Sequence, residues 1–419
     1  MLKNLEKNIS KVYESSLSLS LVTPEQRKSC LDILSRKLHL FMNEIIEIND
    51  KEISIATDNG LDKHVIDRMK LSRESIIRMI SSLVSVRDMP DTVSEIIETK
   101  KRENGLVVNK VRVPLGVLGV IFESRPNVVI EIASLAIKSG NGLVMRGGKD
   151  CILTNLYLFK LVRESLSESG INEDSMYFID FTDRKAVDLI LSMDRYIDLL
   201  IPRGSASLVD LVNKNAKMPS ITGGIGVCHT YVDKEADIEQ AINILNNAKT
   251  QNPSVCNAMD TVIVHKEILK NLLDPLSKVY LEKNVKIKAD QEAYKIIGSN
   301  KGVSHATEED FGYEFLDLVV SIKTVKNIDL AISHITKYGS KHSEAIITND
   351  EINAKYFLDK VDASAVFHNT STRFNDGFEL GLGAEVAVST DKLHARGPMG
   401  INDLMTYKWV VLGQGQVRT

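Results

Sequence analysis

The chain has 419 residues, of which 43% are hydrophobic and 26% are charged, a balance that allows a large core divided over two or three domains. Lys and Arg total 52 against 56 Asp and Glu, and the resulting net charge of -4 excludes a global positive field for nucleic acid. No stretch reaches the roughly 20 apolar residues of a membrane span, so we expect neither nucleic acid nor a membrane as a partner.

The first hundred residues have a helical pattern. Thr23 is suited to cap a helix that begins at Pro24, and Gln26 completes a capping box. Apolar residues then recur at spacings of three and four, which predicts one helical face packed in the core. These residues are Leu34, Leu38, Phe41, Ile45 and Ile48.

From about residue 105 onward, strand patterns alternate with helical ones. The predicted elements, in chain order, are an alternating strand at 107–113, a buried strand at 117–122, a helix at 128–138, a strand at 143–145, a helix at 186–193, a strand at 197–201, a helix at 237–249 and a strand at 261–264. Strand–helix–strand units of this length form right-handed crossovers between parallel strands. The fold class is therefore α/β with a mostly parallel sheet.

The last apolar and aromatic segment, 405–411, contains the only tryptophan, Trp409. Its pattern predicts a half-exposed strand that pairs with the strand near residue 105. We expect the two strands to form an arm that docks on another subunit, and hence a homo-oligomer.

The four cysteines lie far apart in the sequence, at Cys30, Cys151, Cys228 and Cys256. A chain of this length with scattered cysteines is typical of a reducing compartment, so we expect free thiols and a cytoplasmic protein. Neither the cysteines nor the nine histidines have the spacing of a metal site, and we predict no bound metal.

Cys256 lies in a polar loop, 250–258, that precedes an apolar strand, which is a typical position for a nucleophile. A small buried hydrophobic residue is the ordinary alternative for any cysteine. A Cys–His hydrolase that pairs Cys256 with His368 or His394 is a further alternative, although no local motif supports it.

Two loops at predicted strand ends carry basic and hydroxyl groups. They are Arg146-Gly147-Gly148-Lys149 and Pro202-Arg203-Gly204-Ser205. The carboxyl ends of parallel strands are where open α/β sheets bind ligands, and helix N-termini there favour phosphate. The ordinary alternative is that the basic residues of these two loops are exposed to solvent and bind no ligand. No glycine-rich segment has the GxGxxG spacing of the usual dinucleotide site.

Several segments together resemble one family, the gamma-glutamyl phosphate reductases of the aldehyde dehydrogenase superfamily. The matching segments are VPLGVLGVIFESRPNV at 113–128, KSGN at 138–141, GGIGVCH at 223–229, NPSVCNA at 252–258, VDASAV at 361–366, STRFNDG at 371–377 and GLGAEVAVSTDKLHARGPMG at 381–400. The resemblance runs from about residue 113 to residue 409. The first hundred residues are similar only in length and character.

The resemblance implies the reduction of L-glutamyl 5-phosphate by NADPH to glutamate 5-semialdehyde and phosphate, in proline biosynthesis. It also implies an aldehyde dehydrogenase-like fold with a Rossmann-like cofactor domain that lacks GxGxxG. The expected parts are an NADPH-binding domain (1–100, 122–226 and about 365–390), a catalytic domain (227–364) and an oligomerisation arm (101–121 and 391–419).

The resemblance assigns roles residue by residue. Cys256 is the expected nucleophile. The expected hydrogen-bond donors to the oxyanion are the side chain of Asn127 and the backbone N–H of Cys256. The expected cofactor contacts are Arg146, Lys149, Gly204, Ser205 and Glu314. The expected substrate contacts are Arg125, Thr372 and Arg373.

Two positions differ from patterns in related proteins. Thr222 stands where enzymes that oxidise aldehydes to acids carry a glutamate base, and threonine cannot serve as a base near neutral pH. Asn252 stands where family members usually have arginine. The alternatives are another acylating semialdehyde dehydrogenase, dependent on coenzyme A or phosphate, and a non-catalytic binding protein on the same fold. A glutamate 5-kinase is a further expected partner.

Overall fold

The computed structural model describes residues 2–181, 183–221, 223 and 225–418. The chain forms two compact units. The first comprises residues 1–222, 381–387 and 399–419, and the second comprises residues 223–380 and 388–398. Among the described residues, no helix is both long enough and apolar enough to cross a membrane.

The helices and strands follow one another along most of the chain. The helices are α1 (Leu2–Ser16), α2 (Pro24–Leu40), α3 (Met42–Asp58), α4 (Lys63–Met69), α5 (Arg73–Asp88), α6 (Asn127–Ser139), α7 (Ile152–Glu168), α8 (Arg184–Leu191), α9 (Ala206–Asn215), α10 (Ile238–Thr250), α11 (Leu269–Glu282), α12 (Gln291–Ile297), α13 (Ile328–Tyr338) and α14 (Glu351–Lys360). The strands are β1 (Ile96–Lys101), β2 (Val107–Pro114), β3 (Val117–Phe122), β4 (Gly142–Arg146), β5 (Met176–Phe178), β6 (Leu199–Arg203), β7 (Cys228–Val232), β8 (Met259–His265), β9 (Lys286–Ala289), β10 (Val303–His305), β11 (Val319–Val325), β12 (Ser343–Ile347), β13 (Ala365–His368), β14 (Val388–Ser389), β15 (Gly397–Pro398) and β16 (Met405–Leu412).

A parallel sheet of the order β5-β4-β3-β6 forms the centre of the first unit. The predicted crossover is confirmed: β3 leads through α6 to β4, and Gly140 ends α6 in the left-handed conformation at φ 72°. The chain moves from β3 outward to β5 and then returns to the other side of β3 as β6. The topological switch point, where such sheets bind ligands, therefore lies between β3 and β6.

The helical start of the chain is confirmed, with one difference. Thr23 and Gln26 form both hydrogen bonds of the capping box at the start of α2. The apolar stripe, however, spans two helices, because the backbone leaves helical geometry at Phe41 between α2 and α3. Leu34 and Ile45 are still buried on either side of this break.

The predicted pairing of the last strand is also confirmed. β16 pairs antiparallel with β2, Trp409 opposite Lys110, and β1 completes a three-stranded sheet. Apolar side chains on this sheet are exposed, including Ile96 at 56% and Trp409 at 52%. A sheet with exposed apolar residues is a surface suited to contact with another chain.

The second unit contains an all-parallel sheet of the order β10-β9-β11-β8-β7-β12-β13. Successive residues of β8 pack into different cores: Val262 contributes to the cluster beneath α10 and α11, and Ile263 to the cluster that includes α13. Both faces of the sheet are thus covered, which explains the continuous apolar run in the sequence of this strand.

The structure divides the chain differently from the predicted boundaries. Residues 365–380 lie in the second unit, because β13 pairs in parallel with β12. β3, predicted within the arm, belongs to the parallel sheet of the first unit. The predicted strand at 197–201 begins at Leu199, and the predicted helix at 186–193 is α8, which begins and ends two residues earlier.

Candidate active site

Cys256 lies half-buried in the loop between α10 and β8 of the second unit. Local hydrogen bonds shape this loop: the N–H of Ala258 donates to the Val255 carbonyl at 3.0 Å, and the Ser254 hydroxyl donates to Asn252 at 3.1 Å. The loop is followed directly by β8, a central strand of the sheet whose residues are all buried. A thiol on a shaped loop above a rigid strand is well placed to act as a nucleophile.

The residue after Cys256 is held by the segment 371–375 of the same unit. The Thr372 hydroxyl donates to the Asn257 carbonyl at 2.8 Å, and the Asn257 amide donates to the Asn375 carbonyl at 3.1 Å. The Thr372 side chain is fully buried. The hydroxyl of Thr372, a predicted substrate contact, therefore holds the Cys256 loop in place.

Gly226 packs directly against the backbone of Cys256. A Cβ at this position would lie 1.6 Å from the carbonyl oxygen of Cys256, so only glycine fits. The N–H of Gly226 donates to the Glu314 carboxylate at 2.8 Å. Burial raises the pKa of Glu314, and the hydrogen bond from Gly226 opposes this shift. Glu314 is thus brought close to the Cys256 loop through Gly226.

The guanidinium of Arg373, from the segment 371–375, contacts the loop that contains Cys256. Its Nε donates to the side chain of Gln251 at 2.8 Å, which orients a half-buried cation. Burial lowers the pKa of Arg373, and the negative charges of Asp376 and of ionised Cys256 oppose this shift. A cation that interacts electrostatically with the thiolate is suited to an anionic substrate.

Two buried ionisable pairs lie near the loop, and neither was predicted from the sequence. Lys249 pairs with Asp260 at 3.2 Å, and His229 pairs with Glu344 at 3.1 Å. Burial lowers the pKa of Lys249 and raises the pKa of Glu344. A lysine at the end of a predicted helix, such as Lys249, is expected to be exposed to solvent. The burial of Lys249 depends on the packing of α10 onto β8, which no local sequence pattern predicts.

The switch point of the first unit carries a second group of predicted residues. The Glu123 carboxylate follows β3 and accepts from the N–H of Ser205 at 2.7 Å and from its hydroxyl at 3.1 Å. A Cβ on Gly204 would lie 2.5 Å from that carboxylate. The start of α9 therefore already binds an anionic group from the protein itself, as the partial positive charge of a helix N-terminus favours.

Arg146 and Lys149 follow β4, the strand next to β3. Arg146 is half-buried, and burial lowers its pKa while the charge of Glu123 opposes the shift. Lys149 is exposed. Between them, Gly147 packs so closely that a Cβ would lie 2.4 Å from Asn155. The close packing at Gly147 is internal to the protein, whereas the N–H and hydroxyl donors and the two cations fit a nucleotide that carries phosphate groups.

Three further residues were singled out in the sequence: Arg125, Asn127 and Thr222. Asn127 begins α6, and its amide donates to Glu131 at 2.8 Å. Arg125 is half-buried in the turn before α6. Thr222 lies outside the described residues.

Of the two histidines in the hydrolase alternative, His368 has its Nε2 3.0 Å from the Thr348 carbonyl, so this nitrogen donates to the main chain.

Comparison with known proteins gives one consistent result. The sequence model of the aldehyde dehydrogenase family matches residues 3–305. A gamma-glutamyl phosphate reductase from Caldicellulosiruptor bescii is 44% identical over 100% of both chains, and one from Agathobacter rectalis is 41% identical over 100% of both chains. The crystal structure of the gamma-glutamyl phosphate reductase from Thermotoga maritima superposes with a TM-score of 0.95, at 40% identity, over 99% of this chain and 100% of that one.

An acetylating aldehyde dehydrogenase from Geobacillus thermoglucosidasius shares the fold alone, with a TM-score of 0.72 at 15% identity. The chain is therefore an oxidoreductase of the aldehyde dehydrogenase type, which uses a nicotinamide cofactor and a small-molecule substrate. Within that class, it belongs to the gamma-glutamyl phosphate reductase family. The expected fold class and the resemblance found in the sequence are both confirmed.

Proposed function

We propose that the chain reduces L-glutamyl 5-phosphate to L-glutamate 5-semialdehyde with NADPH and releases phosphate, a step of proline biosynthesis. The observation that carries the proposal is the full-length similarity, at 41–44% identity, to relatives named gamma-glutamyl phosphate reductase. The half-buried thiol of Cys256, on a loop anchored at several points, supports it.

The proposed chemistry takes place at the sulfur of Cys256. The thiolate attacks the acyl carbon of the substrate, the carbon–oxygen bond to phosphate breaks, and phosphate leaves with the electron pair and takes up one proton from water. A thioester on Cys256 results. The bound cofactor supplies a hydride to this electrophilic carbon. The carbon–sulfur bond then breaks, so the aldehyde leaves and the thiolate is restored.

Negative charge develops on the carbonyl oxygen during both the attack and the reduction. The proposed donors to that oxygen are the amide of Asn127 and the backbone N–H of Cys256, and such donors contribute roughly 3–4 kcal/mol each. Residue 222 is threonine rather than a carboxylate. Because threonine cannot activate water, the thioester persists until it is reduced.

The proposed NADPH site lies in the first unit, at the switch point of its parallel sheet. Ser205 and the backbone at Gly204 would contact the pyrophosphate, and Arg146 and Lys149 would contact the adenosine ribose. Two cations there favour a 2'-phosphate, and this supports NADPH over NADH. The resemblance to the family also implies a contact between Glu314 and the nicotinamide ribose.

The proposed substrate contacts are two arginines. Arg373, oriented by Gln251 and coupled electrostatically to Cys256, is suited to an anionic group of the substrate. Arg125 is the proposed contact to the substrate phosphate. Thr372 stays a prediction as a third contact, and its buried hydroxyl donates to the main chain of the Cys256 loop.

We also propose a homo-oligomer in the cytoplasm. The sheet β1-β2-β16 has exposed apolar side chains, which supports contact with a second copy of the chain. None of the four cysteines, all of them described, forms a disulfide, which fits a reducing compartment. A glutamate 5-kinase is the proposed source of the acyl phosphate.

The test is the reverse reaction: reduction of NADP+ in the presence of glutamate 5-semialdehyde and inorganic phosphate, for the wild type and Cys256→Ala. We expect turnover that depends on phosphate in the wild type and a loss of at least 1,000-fold in the variant, because the covalent route is removed. Turnover that requires coenzyme A instead of phosphate would identify the acylating alternative. Full turnover in Cys256→Ala would exclude the cysteine mechanism.

A further inference from the structure

We propose that Cys228 is a positioning residue for the nucleophile, through a hydrogen bond from its thiol to the main-chain carbonyl of Cys256. The inference rests on the proposed role of Cys256. Cys228 is the first residue of β7, its side chain is fully buried, and its Sγ lies 3.2 Å from the carbonyl oxygen of Cys256.

The thiol is suited to donate rather than accept in this position. It has one proton, and burial raises its pKa well above the usual value, so the proton is retained. Among the possible acceptors, the carbonyl of Cys256 is nearer to Sγ than Nδ1 of His342, which lies 4.0 Å away. The backbone N–H of Ser343 also interacts with the sulfur, but an N–H cannot accept the thiol proton. Nδ1 of His342 in turn lies 2.8 Å from the hydroxyl of Ser343. The carbonyl of Cys256 is therefore the acceptor of the Cys228 thiol.

The hydrogen bond belongs to a larger arrangement. Two consecutive carbonyls of the loop, those of Cys256 and Asn257, accept from buried side chains, Cys228 on β7 and Thr372 in the segment 371–375. Gly226 packs against the same carbonyl of Cys256 from the chain just before β7. The peptide planes on either side of Cys256 are both held, because the Val255 carbonyl accepts from the N–H of Ala258 and the Cys256 carbonyl accepts from the Cys228 thiol. Fixing these two planes fixes the backbone torsions at Cys256, and thereby the direction in which its thiol points.

A plain alternative is that Cys228 only fills space as a small apolar residue. The two roles predict opposite orders for two substitutions. If Cys228 only fills space, Cys228→Ala is tolerated better than Cys228→Ser, because serine buries a hydroxyl in place of sulfur. If Cys228 holds the carbonyl, Cys228→Ser retains the donor and Cys228→Ala loses it.

The experiment compares Cys228→Ala and Cys228→Ser with Cys151→Ala, a fully buried cysteine of the first unit, as the matched control. One readout is the rate at which iodoacetamide alkylates Cys256, the only cysteine that is not fully buried. This readout needs no substrate, so it is independent of the proposed reaction. The others are kcat and KM in the reverse assay, and Tm.

We expect Cys228→Ala to lower kcat about 10-fold to 100-fold with KM within threefold of wild type, and to change the alkylation rate of Cys256 at least threefold. Cys228→Ser and Cys151→Ala should each stay within threefold of wild type in kcat and in the alkylation rate of Cys256. Higher activity in Cys228→Ala than in Cys228→Ser would overturn the proposal. So would an unchanged alkylation rate in both variants. If Cys228→Ala does not fold, Cys228→Ser alone decides, because loss of its activity contradicts the donor role.

Discussion

Gly226→Ala is the substitution whose effect follows most directly from the structure. The added Cβ would lie 1.6 Å from the carbonyl oxygen of Cys256 and 2.4 Å from its carbonyl carbon. Ordinary contact between such atoms is about 3.5 Å, so the backbone of Gly226 and that of Cys256 must separate by roughly 1.5–2 Å. Neither backbone can rotate away as a flexible side chain would.

A displacement of about 1 Å at a reacting group costs on the order of 100-fold in rate, because attack requires the reacting atoms at a defined separation and direction. We therefore expect kcat/KM of Gly226→Ala to fall at least about 100-fold, equivalent to ~2.7 kcal/mol of transition-state stabilisation. The assay is the reverse reaction, measured together with the alkylation rate of Cys256 and with Tm.

Gly312→Ala is the matched control in the same unit, since a Cβ there meets nothing nearer than an atom of Tyr338 at 3.6 Å. This control should keep kcat/KM within threefold of wild type. If Gly226→Ala also keeps kcat/KM within threefold of wild type with an unchanged Tm, the close approach of Gly226 to the Cys256 backbone does not exist in solution.

Three further substitutions test the proposed ligand contacts. Glu123→Gln should lower the Kd for NADPH about threefold to tenfold in a fluorescence titration, because it removes a negative charge from the donors of Ser205; weaker binding would mean that Glu123 supports the site. Lys149→Glu should reduce the ratio of kcat/KM for NADPH to that for NADH at least tenfold, by removing a cation and adding a repulsive charge; an unchanged ratio would refute the assignment of Lys149 to the 2'-phosphate. Arg373→Met should raise KM for the acyl phosphate roughly 10-fold to 100-fold, the effect of one lost charge-assisted contact. KM within twofold of wild type would show that Arg373 binds no substrate anion.

Much of the fold follows from local sequence patterns. The alternation at Val107 and Val111 and the apolar run of β3 depend only on neighbouring residues, and they identify strands with different burial. The capping residues Thr23 and Gln26 similarly fix the start of α2. The break at Phe41 could not be predicted in this way, because its apolar spacing continues across the end of the helix.

In the candidate site, the sequence itself points to one residue. Cys256 stands out through its loop and through the resemblance to a known family. The groups that hold Cys256 in place do not stand out in the sequence. Cys228 reaches the Cys256 carbonyl only because β7 and β8 pair in parallel, in a register that places Cys228 opposite Met259. Thr372 reaches the same loop from 115 residues away. Contacts of this kind require the tertiary fold.

The proposed function depends on acylation of the Cys256 sulfur by the substrate. Mass spectrometry of the protein after incubation with L-glutamyl 5-phosphate in the absence of a reductant, followed by peptide mapping, detects this intermediate. We expect one glutamyl group on the peptide that contains Cys256, its release on addition of NADPH, and its absence in Cys256→Ala. Acylation of the Cys256→Ala protein to the same extent, or turnover of the wild type with no acyl group detectable on Cys256, would show that the reaction does not pass through a thioester at this residue.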